Sequence, residues 1–91
     1  MKMGIFSVHD AVAALYAEPF FDRNPDTAIR GFAAVCQQDG GQINQNAADY
    51  SLFKIGDFDA ELGVITGHEP IKLCDASGFV GSLELREVTD A

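Results

Sequence analysis

The sequence predicts a small single α+β domain over residues 1–91, in which one main helix, about 25–38, packs on an antiparallel β-sheet or meander. Three observations lead to this fold class. The N-terminal segment alternates with a two-residue period, a capped apolar stripe follows Asn24, and strand-like runs separated by turns fill the second half. The chain is 47% hydrophobic and holds seven Phe, which is enough for a packed core.

The N-terminal segment has the pattern of a half-buried strand. Between residues 4 and 10, Phe6 and Val8 fall on one face and Ser7 and His9 on the other. We therefore expect the first strand here.

The next segment does not favour a long helix. Although residues 10–14 are rich in Ala, Pro19 limits how far a helix could run. A turn or a single helical turn is expected, followed by an extended segment over residues 15–21.

The main helix has the clearest local pattern. Asn24 can cap its N-terminus, Pro25 suits the first helical position, and Asp26 places negative charge at the positive end of the helix dipole. The glycine pair at 40–41 can end the helix by adopting positive φ. One apolar stripe is predicted, formed by Ile29, Phe32, Ala33 and Cys36.

The second half of the chain predicts a β-meander. Residues 42–48 are polar and suggest an exposed connection in which only Ile43 is anchored. Residues 50–55 carry apolar groups on both faces, as an interior strand does. A hairpin loop is expected over 57–63 with Gly63 left-handed, followed by a strand over 64–66, a loop over 67–70 and a strand over 71–74. A turn over 76–78 and a short edge strand containing Leu83 and Leu85 complete the predicted meander.

The charge balance is strongly acidic. Six Lys and Arg stand against fourteen Asp and Glu, for a net charge of −8, and the acids are spread along the chain. Such a surface repels phosphate backbones and anionic lipid at long range. No apolar run approaches a membrane-spanning length, so we expect no membrane association. Cys36 and Cys74 are expected to be free thiols of a cytoplasmic protein.

No catalytic, metal or cofactor site is predicted. The acids at 57, 59 and 61 lack the spacing of a calcium loop and suit a solvated turn. His9 and His68 each precede an acid, but no serine sits in a nucleophile elbow. No glycine-rich loop opens a helix as a phosphate cradle does. We therefore expect a protein that binds a partner and is not an enzyme.

Aromatic residues near cations are the one pattern compatible with nucleic acid. Stacking on exposed rings can hold single strands with fewer cations than a duplex needs. The alternative is that these rings build the core. The two groups are Phe20, Phe21 and Arg23, and Tyr50, Phe53 and Lys54.

Short motifs occur along the chain in a specific order. They are Phe6-Ser7-Val8-His9-Asp10, Pro19-Phe20-Phe21, Asn24, Ala28 with Arg30 and Phe32, the run from Asp49 to Asp59, and Gly63-Val64-Ile65. Over roughly residues 5–66 they resemble the small nonstructural protein of gokushovirus-type microviruses, which are isometric single-stranded DNA phages. Members of that family run F-S-V-Y-D, P-F-F, N, A-x-R-x-F, D-F-x-L-Y-x-I-G-x-F-D and G. This chain has His9 where an aromatic is common and Phe53 where Tyr is common.

The resemblance implies a protein of the host cytoplasm that is absent from the mature virion. Such a protein is expected to aid single-stranded DNA genome synthesis or its coupling to packaging, and to bind single-stranded DNA weakly or act on phage replication or packaging proteins. The expected contacts are Arg23, Arg30, Tyr50, Phe53 and Lys54, as stacking and phosphate groups. The rival hypothesis is an acidic protein-interaction module, a homo-oligomer such as a homodimer, that regulates replication proteins without touching DNA.

Overall fold

The protein forms a curled antiparallel sheet with a few short helices, as seen in a computed structural model that describes residues 1–80. The predicted α+β class is confirmed. The elements in chain order are β1 (Lys2–Asp10), β2 (Leu15–Tyr16), β3 (Phe20–Asp22), α1 (Pro25–Cys36), α2 (Gln42–Gln45), a 3-10 turn (Ala47–Asp49), β4 (Tyr50–Asp59) and β5 (Val64–Asp75).

The long strand β1 organises the sheet. Along one edge it pairs with β2 and with β3, and along the other with β4, which in turn pairs with β5. All pairings are antiparallel. The prediction that β4 is an interior strand is therefore confirmed, as is the predicted first strand.

Helix α1 covers one face of the sheet, which we name the helix face. Phe6 of β1 and Leu52 of β4 are fully buried there, against Ala28, Phe32 and Cys36 of the helix. The buried helical residues are four positions apart and share one side of α1. The observed stripe is slightly rotated from the predicted one, since Ala28 is buried while Ile29 and Ala33 are half-buried.

Side chains form hydrogen bonds with backbone groups at both ends of α1. Asn24 Oδ1 accepts a 2.9 Å hydrogen bond from the Thr27 amide, and Pro25 takes the first helical position, as predicted. The helix ends at Cys36, two residues before the predicted limit, and the Asn44 side chain donates a 2.9 Å hydrogen bond to the free Cys36 carbonyl. Gly40 takes φ of 77° in the turn that follows.

The prediction of an irregular, exposed connection over residues 42–48 is wrong, because the chain forms α2 and the 3-10 turn there. Ile43 packs against the core, as predicted. The polar side chains that suggested a loop instead satisfy the backbone of the short helices. Asn46, for example, donates to the Gln42 carbonyl at 3.0 Å.

The hairpin between β4 and β5 is tighter than predicted. Strand β4 continues to Asp59, so the turn is confined to residues 60–63 rather than the predicted 57–63. Asp59 Oδ1 accepts from the amides of Glu61 and Leu62, which fits a turn acid. Gly63 is left-handed with φ of 68°, as predicted.

The predicted loop over 67–70 is also wrong, because β5 runs through it without interruption. Lys54 pairs with Ile71 and Gly56 with Gly67, so three residues of β5 lie opposite Ile55 alone. A bulge absorbs the extra residues, and an outer strand tolerates the proline at 70. The turn signals of Gly67 and Pro70 therefore mark an irregular strand.

The end of the described chain turns back toward the helix. Ala76 is buried, and residues 77–80 form a helical turn in which Phe79 meets Phe32 with ring centroids 6.3 Å apart. The predicted edge strand with Leu83 and Leu85 lies outside the described residues.

Candidate nucleic-acid interface

The face of the sheet opposite α1 carries a group of ring side chains, and we name it the aromatic face. In an antiparallel pair, residues directly opposite each other project to the same side, and neighbours along a strand project to opposite sides. Because Phe6 and Leu52 define the helix face, the register assigns the following rings to the other side: His9, Tyr16, Phe21, Phe53 and Phe58.

Three of these rings form a contacting cluster near the C-terminal end of β1. His9 lies 4.5 Å from Tyr16 and 5.9 Å from Phe53 between ring centroids. Tyr16 and Phe53 meet edge to face at 5.5 Å. Edge-to-face contacts of this kind stabilise the arrangement and leave ring faces available to other groups.

A second ring pair lies near the N-terminal half of β1. Phe21 of β3 and Phe58 of β4 meet edge to face with centroids 5.5 Å apart. Between them, Ile5 of β1 is only 5% exposed. Phe21 itself remains 47% exposed, so its ring both covers Ile5 and faces solvent.

The two groups of rings form one row along β1. Phe58 is paired with Met3 and Tyr16 with His9, so the row spans residues 3–9 of β1, which is about 20 Å at the usual strand rise. Tyr16 is 44% exposed, and Phe53 and Phe58 are half-buried. An accessible row of rings can stack planar groups, and nucleobases are the planar groups that single strands present.

One cation lies on the aromatic face itself. Lys72 pairs with Phe53 in the β4–β5 register, and its Nζ lies 2.7 Å from Asp75 Oδ1. The hydrogen bond from Lys72 and a second one from Ser51 lower the pKa of Asp75 below its ordinary range. The Lys72 side chain is half-exposed.

Two arginines flank the edge of the sheet next to Phe21. The Thr27 hydroxyl, the Arg23 amide and the charges of Arg23 and Arg30 lower the pKa of Asp22. Arg23 directly follows β3, and Arg30 lies in the second turn of α1. Within residues 1–80, neither arginine forms an ion pair within 4.0 Å, and both side chains are exposed.

The described part of the chain shows no metal cluster and no membrane-spanning helix. Residues 1–80 contain no group of three or more His, Cys, Asp or Glu arranged to hold a metal ion. None of the helices in this part is long and apolar enough to cross a membrane. Cys36 and Cys74 are free thiols, as predicted, and burial raises the pKa of both.

Comparison with models of known protein families assigns the chain to a family. A model of the Phage ORF5 protein family matches residues 3–79, which is nearly the whole of the described chain. The chain belongs to the Phage ORF5 protein family. No curated protein and no solved structure matches it.

In this ORF5-family chain the five predicted contact residues do not share one surface. Phe53 lies on the aromatic face, Arg23 directly follows β3, and Arg30 lies in α1. Tyr50 and Lys54 lie on the helix face, since their partners in β1 are Asp10 and Phe6. The role of all five as DNA contacts stays a prediction.

The contacts of Tyr50 and Lys54 explain their position. The Tyr50 hydroxyl accepts a 2.9 Å hydrogen bond from the Gln42 side chain, and its ring packs against the core. Lys54 forms a 3.1 Å ion pair with Asp57. Both side chains already have partners within the ORF5 fold.

Sequence reasoning did not select four residues of the aromatic face and its rim. Phe58 falls in the predicted hairpin loop, Tyr16 in the predicted extended segment 15–21, and Lys72 in the predicted strand 71–74. Phe21 belongs to the predicted aromatic and basic group with Phe20 and Arg23 but is not among the five expected contacts. Strict alternation from Phe53 fails to find Phe58, because the bulge at Ile55 shifts the phase of β4 by one residue.

Proposed function

We propose that this phage ORF5-family protein is a nonstructural accessory factor of a gokushovirus-type microvirus. In this proposal it acts in the host cytoplasm, is absent from the mature virion, and supports single-stranded DNA genome synthesis or its coupling to packaging. It holds single-stranded DNA on the aromatic face and acts as a homo-oligomer. It carries out no catalysis of its own.

The observation that carries the proposal is the row of five rings on the face of the sheet opposite α1. Unpaired bases stack on rings regardless of sequence, with about 1–3 kcal/mol per stacked base. A duplex hides these base faces within its own stack. The row therefore supports single-stranded DNA as the ligand rather than duplex.

Charge sets the expected strength of binding. The net charge of −8 repels DNA at long range, so phosphate contacts must be local. The candidates are Arg23 and Arg30, whose side chains are exposed, and Lys72 beside Phe53. Three phosphate contacts on a single strand would give a log–log salt slope of about −2. Binding is thus expected to be weak, salt-sensitive and dependent on stacking.

A titration of labelled oligonucleotides tests this function. Fluorescence anisotropy is followed with a single-stranded oligonucleotide and with its duplex at several salt concentrations. The proposal expects binding of the single strand at low salt, weaker binding of the duplex, and a shallow salt slope. No binding of the single strand at low salt would refute the DNA contact.

The second candidate function is a protein-interaction module that regulates replication proteins. The outer strand β5 favours it, because Val64, Ile65 and Ile71 are exposed along it and the chain as a whole is acidic. An acidic surface can engage a basic replication protein or compete with nucleic acid for one. Capture of the phage initiator or the procapsid, with no binding of DNA, would favour this function over the first.

The homo-oligomer is tested separately. Light scattering coupled to size exclusion is expected to give a mass of at least two chains. A strictly monomeric protein over the working concentration range would remove oligomerisation from either function. DNA binding by the aromatic face would still be measurable on the monomer.

A further inference from the structure

The aromatic face repeats one arrangement of two rings. Tyr16 of β2 meets Phe53 of β4 edge to face, with centroids 5.5 Å apart and ring planes at 79°. Phe21 of β3 meets Phe58 of β4 in the same way, at 5.5 Å and 77°. We call these two contacts the ring pairs. Each consists of an outer ring, on β2 or β3, and an inner ring, on β4.

The register gives the displacement between the two ring pairs. The outer rings lie opposite residues of β1 that are four positions apart, since Tyr16 pairs with His9 and Phe21 with Ile5. The inner rings show the same offset through their own partners in β1, which are Ser7 for Phe53 and Met3 for Phe58. Four residues of a strand span about 13 Å. The second ring pair therefore repeats the first at a displacement of about 13 Å along β1.

The outer ring of each pair is accessible to solvent. Tyr16 is 44% exposed and Phe21 is 47% exposed, whereas the inner rings are half-buried. A perpendicular contact uses the edge of one ring, so it covers less ring surface than a parallel stack would. The two outer rings are thus held by packing and still available to a planar ligand.

The surface between the outer rings offers no further ring. Ser7, which lies midway between His9 and Ile5 on β1, is fully buried, and its hydroxyl donates a 2.7 Å hydrogen bond to the Ala17 carbonyl. Over residues 1–80, no contact between aromatic rings joins one ring pair to the other. A base over this gap finds no ring of the described chain on which to stack.

We propose that the aromatic face holds two separate bases of one DNA strand, one on Tyr16 and one on Phe21, while the nucleotides between them cross the gap without stacking on the protein. The inference rests on the proposed function and adds the spacing and minimum length of the ligand. Stacked nucleotides are about 3.4 Å apart, so 13 Å corresponds to about four steps, and to fewer where the strand is extended. About one to three nucleotides therefore separate the two bound bases.

The length of the strand then determines its affinity. A dinucleotide reaches one ring pair at a time, because a single step of the strand is shorter than the gap. A longer strand with one base bound holds a second base near the other ring pair, at an effective concentration of the order of millimolar. Affinity is expected to rise at least about fivefold once a strand spans both ring pairs, as for one further stacked base.

Strands of equal length and charge test the spacing. Each has six nucleotides, of which two carry thymine and four are abasic, and the number of abasic nucleotides between the thymines varies from none to four. Titration of the full-length protein at low salt, followed by nuclear magnetic resonance, measures each affinity. The tightest binding is expected with about one to three abasic nucleotides between the thymines, at least about fivefold tighter than with adjacent thymines. Equal affinities across the series, or tightest binding with adjacent thymines, would overturn the inference.

Variants locate the two bases on the outer rings. Tyr16→Leu and Phe21→Leu each remove one ring and retain apolar cover. In either variant, separated and adjacent thymines are expected to bind equally, because only one base can stack. Phe20→Leu, on the helix face, is the matched control and should keep the preference for separated thymines. A preference that survives in both folded outer-ring variants would contradict the inference, and the series on the wild-type protein needs no variant.

A six-nucleotide strand with thymine at every position separates this inference from the proposed function. If that strand does not bind at low salt, both fail. If it binds and the spacing series is flat, the inference alone fails. If a second copy of the chain covers the outer rings instead, dilution of the protein without DNA shifts the ring-proton resonances of Tyr16 and Phe21, and the inference fails. The expected result is that these resonances shift on addition of the strand and not on dilution.

Discussion

Phe21 and Phe58 meet edge to face at 5.5 Å although they come from strands that pair with opposite edges of β1. Together they cover Ile5, the β1 residue between those strands, and still expose part of the Phe21 ring. The aromatic face is therefore held by its own packing. Rings fixed in this way need little further ordering when they stack on a base, which lowers the entropic cost of binding.

Gly56 is expected to be intolerant of any side chain. A Cβ there would lie 2.6 Å from the Thr66 carbonyl oxygen, which belongs to the backbone of β5 and cannot move freely. Gly56→Ala should lower the free energy of unfolding by about 1–3 kcal/mol, as overpacking does. Its cross-strand partner Gly67 is the matched control, because a Cβ there meets its nearest atom at 4.0 Å.

Urea denaturation of both glycine variants measures this difference. Gly67→Ala is expected to unfold at a urea concentration much closer to that of the wild type. Equal destabilisation by the two substitutions would show that the close approach of β4 and β5 at Gly56 is not the cause.

The Asn24 cap should contribute measurably to stability. Asn24→Ala removes the acceptor of the Thr27 amide and is expected to lower the free energy of unfolding by about 1 kcal/mol. Asn24→Ser keeps a capping oxygen and should lose much less. Thermal or urea unfolding of the pair provides the measurement, and indistinguishable Ala and Ser variants would contradict the assigned cap.

Gly31 should be a site of easy stabilisation. It lies within α1, has open space around an added Cβ, and pays the backbone entropy cost of glycine in a helix. Gly31→Ala is expected to raise the free energy of unfolding by about 0.5–1 kcal/mol. A lower midpoint in urea for this variant would show that α1 requires glycine at this position.

The Cys36 thiol should resist ionisation in the folded protein. Burial, with a smaller contribution from the nearby Cys74, raises the pKa of Cys36 to about 11 from an ordinary value of 9.0. Because the folded pKa is the higher one, this contribution to stability is complete below about pH 9 and is lost as the pH rises toward 11. Alkylation by iodoacetamide near pH 9, located by mass spectrometry, is expected to be slow at Cys36 in folded protein and fast in urea. Rapid alkylation without denaturant would contradict this environment.

Local patterns predicted the elements that depend on neighbouring residues. The cap at Asn24, the start of α1 at Pro25 and the left-handed Gly63 all follow from local backbone chemistry. The alternation of β1 also predicted its two faces correctly. These features could be predicted from the sequence because each is determined within a few residues of the chain.

Features that depend on strand register could not be predicted from local sequence patterns. The bulge opposite Ile55 keeps residues 67–70 within β5 and changes the face on which Phe58 lies. Only pairing between distant segments reveals such a shift. Tyr50, Phe53 and Lys54 form one group only by closeness in sequence, because ordinary strand alternation already separates Phe53 from Tyr50 and Lys54, and the fold keeps that division.

The account depends most on stacking by the aromatic face, and neighbouring residues of β3 offer a matched test. Phe21 lies on the aromatic face, whereas Phe20 faces the helix side and contacts Phe6 with centroids 5.8 Å apart. Phe21→Leu and Phe20→Leu make the same chemical change on opposite faces, and leucine retains apolar cover. Circular dichroism and urea unfolding verify that both variants fold.

The decisive measurement is the affinity of these two variants and the wild type for one single-stranded oligonucleotide at low salt. Phe21→Leu is expected to weaken binding by at least about fivefold, since one stacked base is worth about 1–3 kcal/mol. Phe20→Leu is expected to bind as the wild type does. Equal affinities for all three proteins, or a greater loss from Phe20→Leu, would contradict the aromatic face as the site of single-stranded DNA binding.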